Sequence, residues 1–352
     1  MSEFQLSLLI IGAVVVFAVY SYGYWQQWRY RRSLGAPFAE DSLPAKSKAT
    51  VATRVEHALD DPLAPDLESS PTVDAARDAG VQMDERSDYI VNMTLKYPLN
   101  SQALDDFLSR RFDYGKTIRA IGCNAATGAW ERLIPESVAT YTSFKIGLQL
   151  VDRNGAVSDT RLADFRELLS EIGRKLDADM VLPMVDASIE RARELDKFCA
   201  EVDQMIGINL LPAAGRVLFA SEVARAVQQI GMSLQADGAF HQFDETGATL
   251  FTLGASDETP FQHHRLDQMR VDSLTFLLDL PRVNQPVQRF DEMTLLAMEI
   301  ASTLGATLVD DQRVALGKAA LSQIREQVES VERRMLAGGL TPGSDQAMRL
   351  FS

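Results

Sequence analysis

The sequence predicts an α+β protein. Two tandem modules, each a mainly antiparallel sheet with helices on one face and the other face open, follow a single N-terminal transmembrane helix. Three observations predict it. An uncharged run opens the chain, one order of strands and helices occurs twice after residue 88, and strands that alternate apolar with polar residues are interleaved with amphipathic helices. Alternation at period two makes one sheet face apolar, and an apolar helix stripe covers such a face. Helices gathered on one side of an antiparallel sheet leave its other side bare.

The first element is the anchor, residues 1–28. From Phe4 to Trp28 no side chain is charged, and residues 6–20 are almost wholly apolar; about 20 such residues span a bilayer as a helix. A cleavable signal peptide needs a basic stretch before the run and a small-x-small site after it. Glu3 precedes the run and no such site follows. Arg29, Arg31 and Arg32 come directly after it, and positive flanks stay cytoplasmic. Tyr20, Tyr22, Tyr24, Trp25, Trp28 and Tyr30 form an aromatic belt at that boundary. The expected topology is a single-pass protein of the cytoplasmic (inner) membrane, its short N-terminus outside and its body in the cytoplasm. Residues 29–87 read as a basic flank and a disordered acidic linker. Pro37, Pro44, Pro62, Pro65 and Pro71 interrupt them, and such a segment buries too little apolar area to offset its ordering entropy. As a coil it has an r.m.s. reach of about 40 Å.

The first module, residues 88–198, reads as strand 89–95, helix 101–111, strand 117–124, turn, strand 129–133, strand 142–151, helix 161–176, strand 180–183 and helix 188–202. The second, residues 199–337, reads as strand 205–211, helix 221–229, strand 233–243, turn, strand 249–253, strand 273–280, helix 291–304, strand 307–309 and helix 318–335. The order of elements repeats, and so does the turn: Ala126-Thr127-Gly128-Ala129 corresponds to Glu245-Thr246-Gly247-Ala248. The two copies are expected to superpose. In the second, Ile206, Ile208 and Leu210 alternate with Gly207 and Asn209, and Leu295, Leu296, Met298, Ile300 and Leu304 supply the helical cover. Residues 338–352 read as a flexible tail.

Composition excludes several functions. A formal net charge of -14 disfavours nucleic acid, which needs a basic surface. Cys123 and Cys199 stand in no ligand spacing, and the adjacent His263 and His264 lie in a polar stretch that reads as a solvated loop. Asp310, Asp311 and Arg313 invite an acid–base or metal reading. No third ligand, histidine or nucleophile joins them, so a helix-capping and salt-bridge role fits better. With no phosphate loop, nucleophile elbow or metal set, the expectation is a non-enzymatic protein without cofactor, metal or small-molecule substrate.

The second module resembles the C-terminal FtsZ-binding domain of the ZipA cell-division family. The resemblance is carried by Ile206-Gly207-Ile208-Asn209, Val227-Gln228-Gln229-Ile230-Gly231, Phe240-His241, Leu250-Phe251-Thr252-Leu253 and, most specifically, Leu308-Val309-Asp310-Asp311-Gln312-Arg313. The layout of anchor, basic flank, linker and terminal domain is similar as well. The resemblance implies a membrane-anchored adaptor whose open sheet face binds the C-terminal tail peptide of FtsZ and tethers the division ring. The alternative is an adaptor of the same fold for another divisome or envelope protein. Carried over by position, the peptide site comprises Met205, Asp237, Ala239, Gly254, Ser256, Thr275 and Leu277, with Glu258 at its edge. At Asp237, Ser256 and Glu258 the family pattern has large apolar residues or a basic one, and this chain departs from it. The first module has no counterpart in the family layout. It reads as a second platform, a spacer or a dimerisation surface.

Overall fold

The computed structural model describes residues 83–134 and 137–352, all within one compact unit of the chain, Glu68–Ser352. The anchor and nearly all of the linker expected from the sequence lie outside the described residues. Among those described, no helix is long and apolar enough to cross a membrane.

Module one runs β1 (Asp88–Asn100), α1 (Asp105–Ser109), β2 (Ile118–Asn124), β3 (Trp130–Arg132), β4 (Thr140–Gln149), a small hairpin of β5 (Val151–Asp152) and β6 (Gly155–Ala156), α2 (Asp159–Lys175), β7 (Asp179–Val181) and α3 (Val185–Val202). Its sheet has the order β3-β2-β4-β1-β7, every pair antiparallel. Ser158 caps α2 by accepting from the Arg161 N–H, which satisfies one of the free donors of the first turn. Leu162, Phe165, Leu169 and Ile172 then recur at helical spacing and are buried. Phe165 is the hub of this core, with the rings of Tyr89, Phe107 and Tyr114 at 6.1, 6.0 and 5.3 Å. The first helix is shorter than expected, because a turn of 3-10 helix takes Ser101–Leu104. Cys199 of α3 is a core residue whose thiol burial pushes up to about 12, so it stays protonated and unreactive.

Module two runs β8 (Met205–Pro212), β9 (Leu218–Phe219), α4 (Ala220–Gln229), β10 (Ser233–Leu234), β11 (Phe240–Phe243), β12 (Thr249–Ala255), β13 (Arg270–Val271), β14 (Leu274–Asp279), α5 (Pro286–Leu304), β15 (Ala306–Val309) and α6 (Lys318–Ala337). The sheet order is β10-β11-β12-β14-β8-β15, again antiparallel throughout. Ile206, Ile208 and Leu210 of β8 and Phe276 and Leu278 of β14 are buried, as are Phe290, Met293, Ala297, Ile300 and Leu304 of α5. The single strand expected at 233–243 is two, because a turn at Asp237-Gly238 interrupts it: the Asp237 Oδ1 accepts from the Ala239 N–H at 3.1 Å and the Gly238 N–H donates to the Gln235 carbonyl at 3.0 Å.

The duplication holds for part of each sheet. The strands β4-β1-β7 and β14-β8-β15 occupy matching places, but the hairpins enter in opposite senses. In module one the first hairpin strand, β2, lies beside β4; in module two the second, β12, lies beside β14. The turns are nonetheless built alike. Asn124 Oδ1 accepts from the N–H groups of Ala126 and Thr127, and Asp244 Oδ1 from those of Thr246 and Ala248. Gly128 and Gly247 take φ of 70° and 85°, the left-handed region where glycine carries no steric penalty.

The flexible tail is corrected. Residues after α6 fold back as a turn and a further helix, α7 (Asp345–Leu350), with Leu340, Ala347, Leu350 and Phe351 buried. Gly343 takes φ 72°, and any side chain there would stand 2.5 Å from the Asn284 backbone nitrogen. This segment joins the modules. Arg349 pairs with the buried Asp88 of β1, and its carbonyl accepts from Gln149 Nε2 at 2.9 Å. Arg86 donates to the carbonyls of Gly338 and Gly339 beyond α6. A second tie is Arg153, at the tip of the β5–β6 hairpin. Its guanidinium donates to Asp203 Oδ1 at 2.8 Å and Asp279 Oδ1 at 2.7 Å. Burial pulls its pKa down, but hydrogen bonds and charge from Asp279 and Asp203 outweigh that and raise it, so it stays charged. Arg153→Ala leaves two close carboxylates without their cation, and should lower unfolding free energy by about 3 kcal/mol in denaturant titration.

Candidate docking face on module two

The strand register sorts the side chains of module two between its two faces. With Ile206, Ile208 and Leu210 turned to the helices, Met205, Gly207, Asn209 and Leu211 lie on the opposite face. Antiparallel pairing extends each of these positions into a row. One row contains Gly207, Leu277, Thr252 and His241, and the next contains Asn209, Thr275 and Gly254. Asp279 stands opposite Met205 at the end that Arg153 reaches.

A hydrogen-bonded ladder crosses the second row. Ser256 Oγ and Thr275 Oγ1 are 2.8 Å apart, Thr275 Oγ1 donates to Asn209 Oδ1 at 2.7 Å, and Asn209 Nδ2 donates to Asp311 Oδ1 at 3.0 Å. The Asp310-Asp311 pair therefore has two structural tasks. Asp311 ends the ladder, while Asp310 Oδ1 accepts from the N–H groups of Gln312 and Val314 and closes the turn. At the other edge His241 lies between Asp237 Oδ2 at 2.9 Å and Thr249 Oγ1 at 3.0 Å, stacked on Phe243.

The structure brings the sequence-derived residues together. Met205, Gly254, Thr275 and Leu277 lie on this face by register, and Ser256 joins it through Thr275. Ala239 directly precedes β11, and Asp237 holds His241 from the rim. Glu258 lies two residues beyond Ser256 in the loop after β12, exposed and with φ 63°. Sequence reasoning missed Gly207, Asn209, Thr252 and His241 as face positions. Asn209 had a usable signal, since it alternates with apolar residues in β8; the ladder depends on cross-strand register, which the sequence does not display. A cavity of about 330 Å³ on module one, lined by Arg110, Tyr114, Arg161 and Glu171 among others, lies between the segment after α1 and helix α2.

The face is antiparallel, with scattered apolar side chains and a fixed polar row. Residues 204–327 match the family described as "ZipA, C-terminal FtsZ-binding domain". The proteins named "Cell division protein ZipA" from Xanthomonas euvesicatoria pv. vesicatoria and Ectopseudomonas mendocina are 23% identical over 145 residues and 24% over 151. These alignments cover 40% and 42% of this chain and 60% and 55% of those proteins. The relative from Pseudomonas syringae pv. syringae is 24% identical over 155 residues, 43% of this chain and 54% of its own. The chain thus spans somewhat more than half the length of the relatives it matches, and the matched segment coincides with the open-faced module.

The ladder makes a direct prediction. Thr275→Val keeps the β-branched shape and removes the central hydroxyl, so it should cost about 1 kcal/mol in stability. Chemical denaturation of the variant beside wild type measures it.

Proposed function

We propose that this protein is a non-enzymatic, membrane-anchored cell-division adaptor whose second module receives the C-terminal tail of FtsZ on its open sheet face and tethers the division ring. The observation that carries this reading is a coincidence of place. The segment matching the ZipA C-terminal domain, residues 204–327, includes the whole sheet whose uncovered face gathers Met205, Ala239, Gly254, Ser256, Thr275 and Leu277. An adaptor needs a surface, a spacer and an anchor. The uncharged run at 4–28 with its arginine flank supports the anchor, and the proline-interrupted linker supports the spacer.

Titrating a synthetic FtsZ tail peptide against wild type and Leu277→Asp tests the face. Peptides on such surfaces gain affinity from a few central anchors, so the substitution should cost about 2 kcal/mol or more of binding while the fold survives. The Leu277 side chain points away from the helices, half-buried. Affinity should change little with salt, since apolar contacts are not screened as exposed charges are. Equal affinity of both proteins removes the face from consideration. The topology has its own test: a reporter active only outside the cytoplasm, fused after Ser352, should stay silent, and strong activity reverses the orientation.

A second reading has one observation in its favour. The centre of the face is the polar row Ser256–Thr275–Asn209, which suits an adaptor for a different, more polar segment of another divisome or envelope protein. Binding of that partner, with no binding of the FtsZ tail, decides for it.

A further inference from the structure

Two positions on the docking face carry no side chain. Gly207 lies in β8 opposite Leu277, and Gly254 in β12 opposite Thr275, so the two are diagonal across β14. The fold requires neither glycine. Neither takes a positive φ. A methyl group at 207 would meet Thr275 Cγ2 at 3.7 Å and the Phe276 carbonyl oxygen at 4.0 Å, both ordinary contacts, and at 254 nothing lies within 4 Å. Glycine inside a strand weakens it and often marks a bulge, a tight bend or a close approach of a ligand or another backbone; the pairing of both strands with β14 runs without a register shift, which leaves close approach.

The walls of the two bare spots differ. Gly207 stands between Met205 and Asn209 on its own strand and faces Leu277, an apolar setting on two sides. Gly254 stands between Thr252 and Ser256 and faces Thr275, a ring of hydroxyls. No face position of β8, β12 or β14 is lysine or arginine, whereas Asp237 and Asp311 border the face. That charge balance disfavours an acidic group on the occupant at this point.

We propose that Gly207 and Gly254 determine specificity on this face. The bound peptide seats a large apolar side chain over Gly207 against Leu277 and Met205, and its backbone passes close over Gly254. The inference rests on the reading of this face as the platform for the FtsZ tail and names how the peptide is selected.

The test titrates the synthetic tail peptide, and versions with each large apolar residue cut to alanine, against the full chain. Wild type, Gly207→Val, Gly207→Ala, Gly254→Val and Leu277→Asp are compared, with a thermal melt of each. Gly207→Val and Gly254→Val should melt at or above wild type and bind about tenfold or more weakly. One truncated peptide should lose affinity for wild type but hardly any further for Gly207→Val, because the two changes remove the same contact. Should the valine lower the melting temperature, Gly207→Ala carries the comparison. Wild-type affinity in folded Gly207→Val, or equal losses in both proteins for every truncated peptide, overturns the inference; if Leu277→Asp still loses binding, the platform stands. Failure of wild type to bind, or equal binding by Leu277→Asp, overturns both.

Discussion

The arrangement of the body is pinned by a charge cluster, Arg153 held between Asp203 and Asp279, together with the tie of Arg349 to Asp88. The cluster's three side chains are 19%, 10% and 19% exposed. The arginine comes from module one, while Asp203 ends α3 and Asp279 ends β14 of module two. The hairpin that presents it is itself braced, since Lys116 donates to Asp152 Oδ1 at 2.5 Å and to the Gly155 carbonyl at 2.6 Å. Desolvating such charges offsets much of their attraction, so their yield is geometry more than net stability. A hydrophobic contact between the modules would tolerate sliding. A guanidinium bonded to two carboxylates does not, because its donors are directional.

Because the modules are fixed in this way, module two has few surfaces to offer. Its helix side is packed against α4, α5 and α6, and one end of its sheet is met by Arg153. The remaining sheet face is stiffened by the Ser256–Thr275–Asn209–Asp311 ladder, whose hydroxyls and amide are already satisfied. A satisfied polar network holds neighbouring side chains in one arrangement. Under the proposed reading, a partner meets a preorganised surface and bears little ordering cost. The large exposed apolar residues of the described chain, such as Tyr97, Val181 and Leu295, lie elsewhere. Under the proposed reading, selectivity on this face comes from shape and a few anchors and not from apolar area.

How much of this was legible in the sequence follows from what each feature depends on. The alternation of β8 and β14 was legible, because a period of two in Ile206, Ile208 and Leu210 shows which side is buried. The resemblance to the ZipA C-terminal domain covered the same stretch as the family match, so the candidate face could be assembled position by position. Lateral strand order was not legible: nothing along the chain distinguishes a hairpin that enters with β2 inward from one that enters with β12 inward. The C-terminal segment misled because Gly338, Gly339, Pro342 and Gly343 look like a linker. The six residues of α7 are also too few to display helical periodicity. Its burial depends on partners far away in sequence, Asp84, Asp88 and Gln149.

The reversed hairpin and the returning C-terminus bear on what module one presents. Its own open side carries Lys145 with its ammonium 4.9 Å from the Trp130 ring, in a row with Asn92 and Val181. At the Gly147 end that side is occupied by the chain itself, since any side chain at Gly147 would strike Met83 Sδ at 2.9 Å. Asp84 and Asp88 are held there by Gln346 and Arg349 of the returning segment. One end of this sheet's open side is thus taken up by the segments before β1 and after α6. The equivalent side of module two stays uncovered because no segment of the described chain returns across it. Two sheets with three matching strands therefore differ through their connections: one is covered at one end by the segments before β1 and after α6, and the other is uncovered by the described residues.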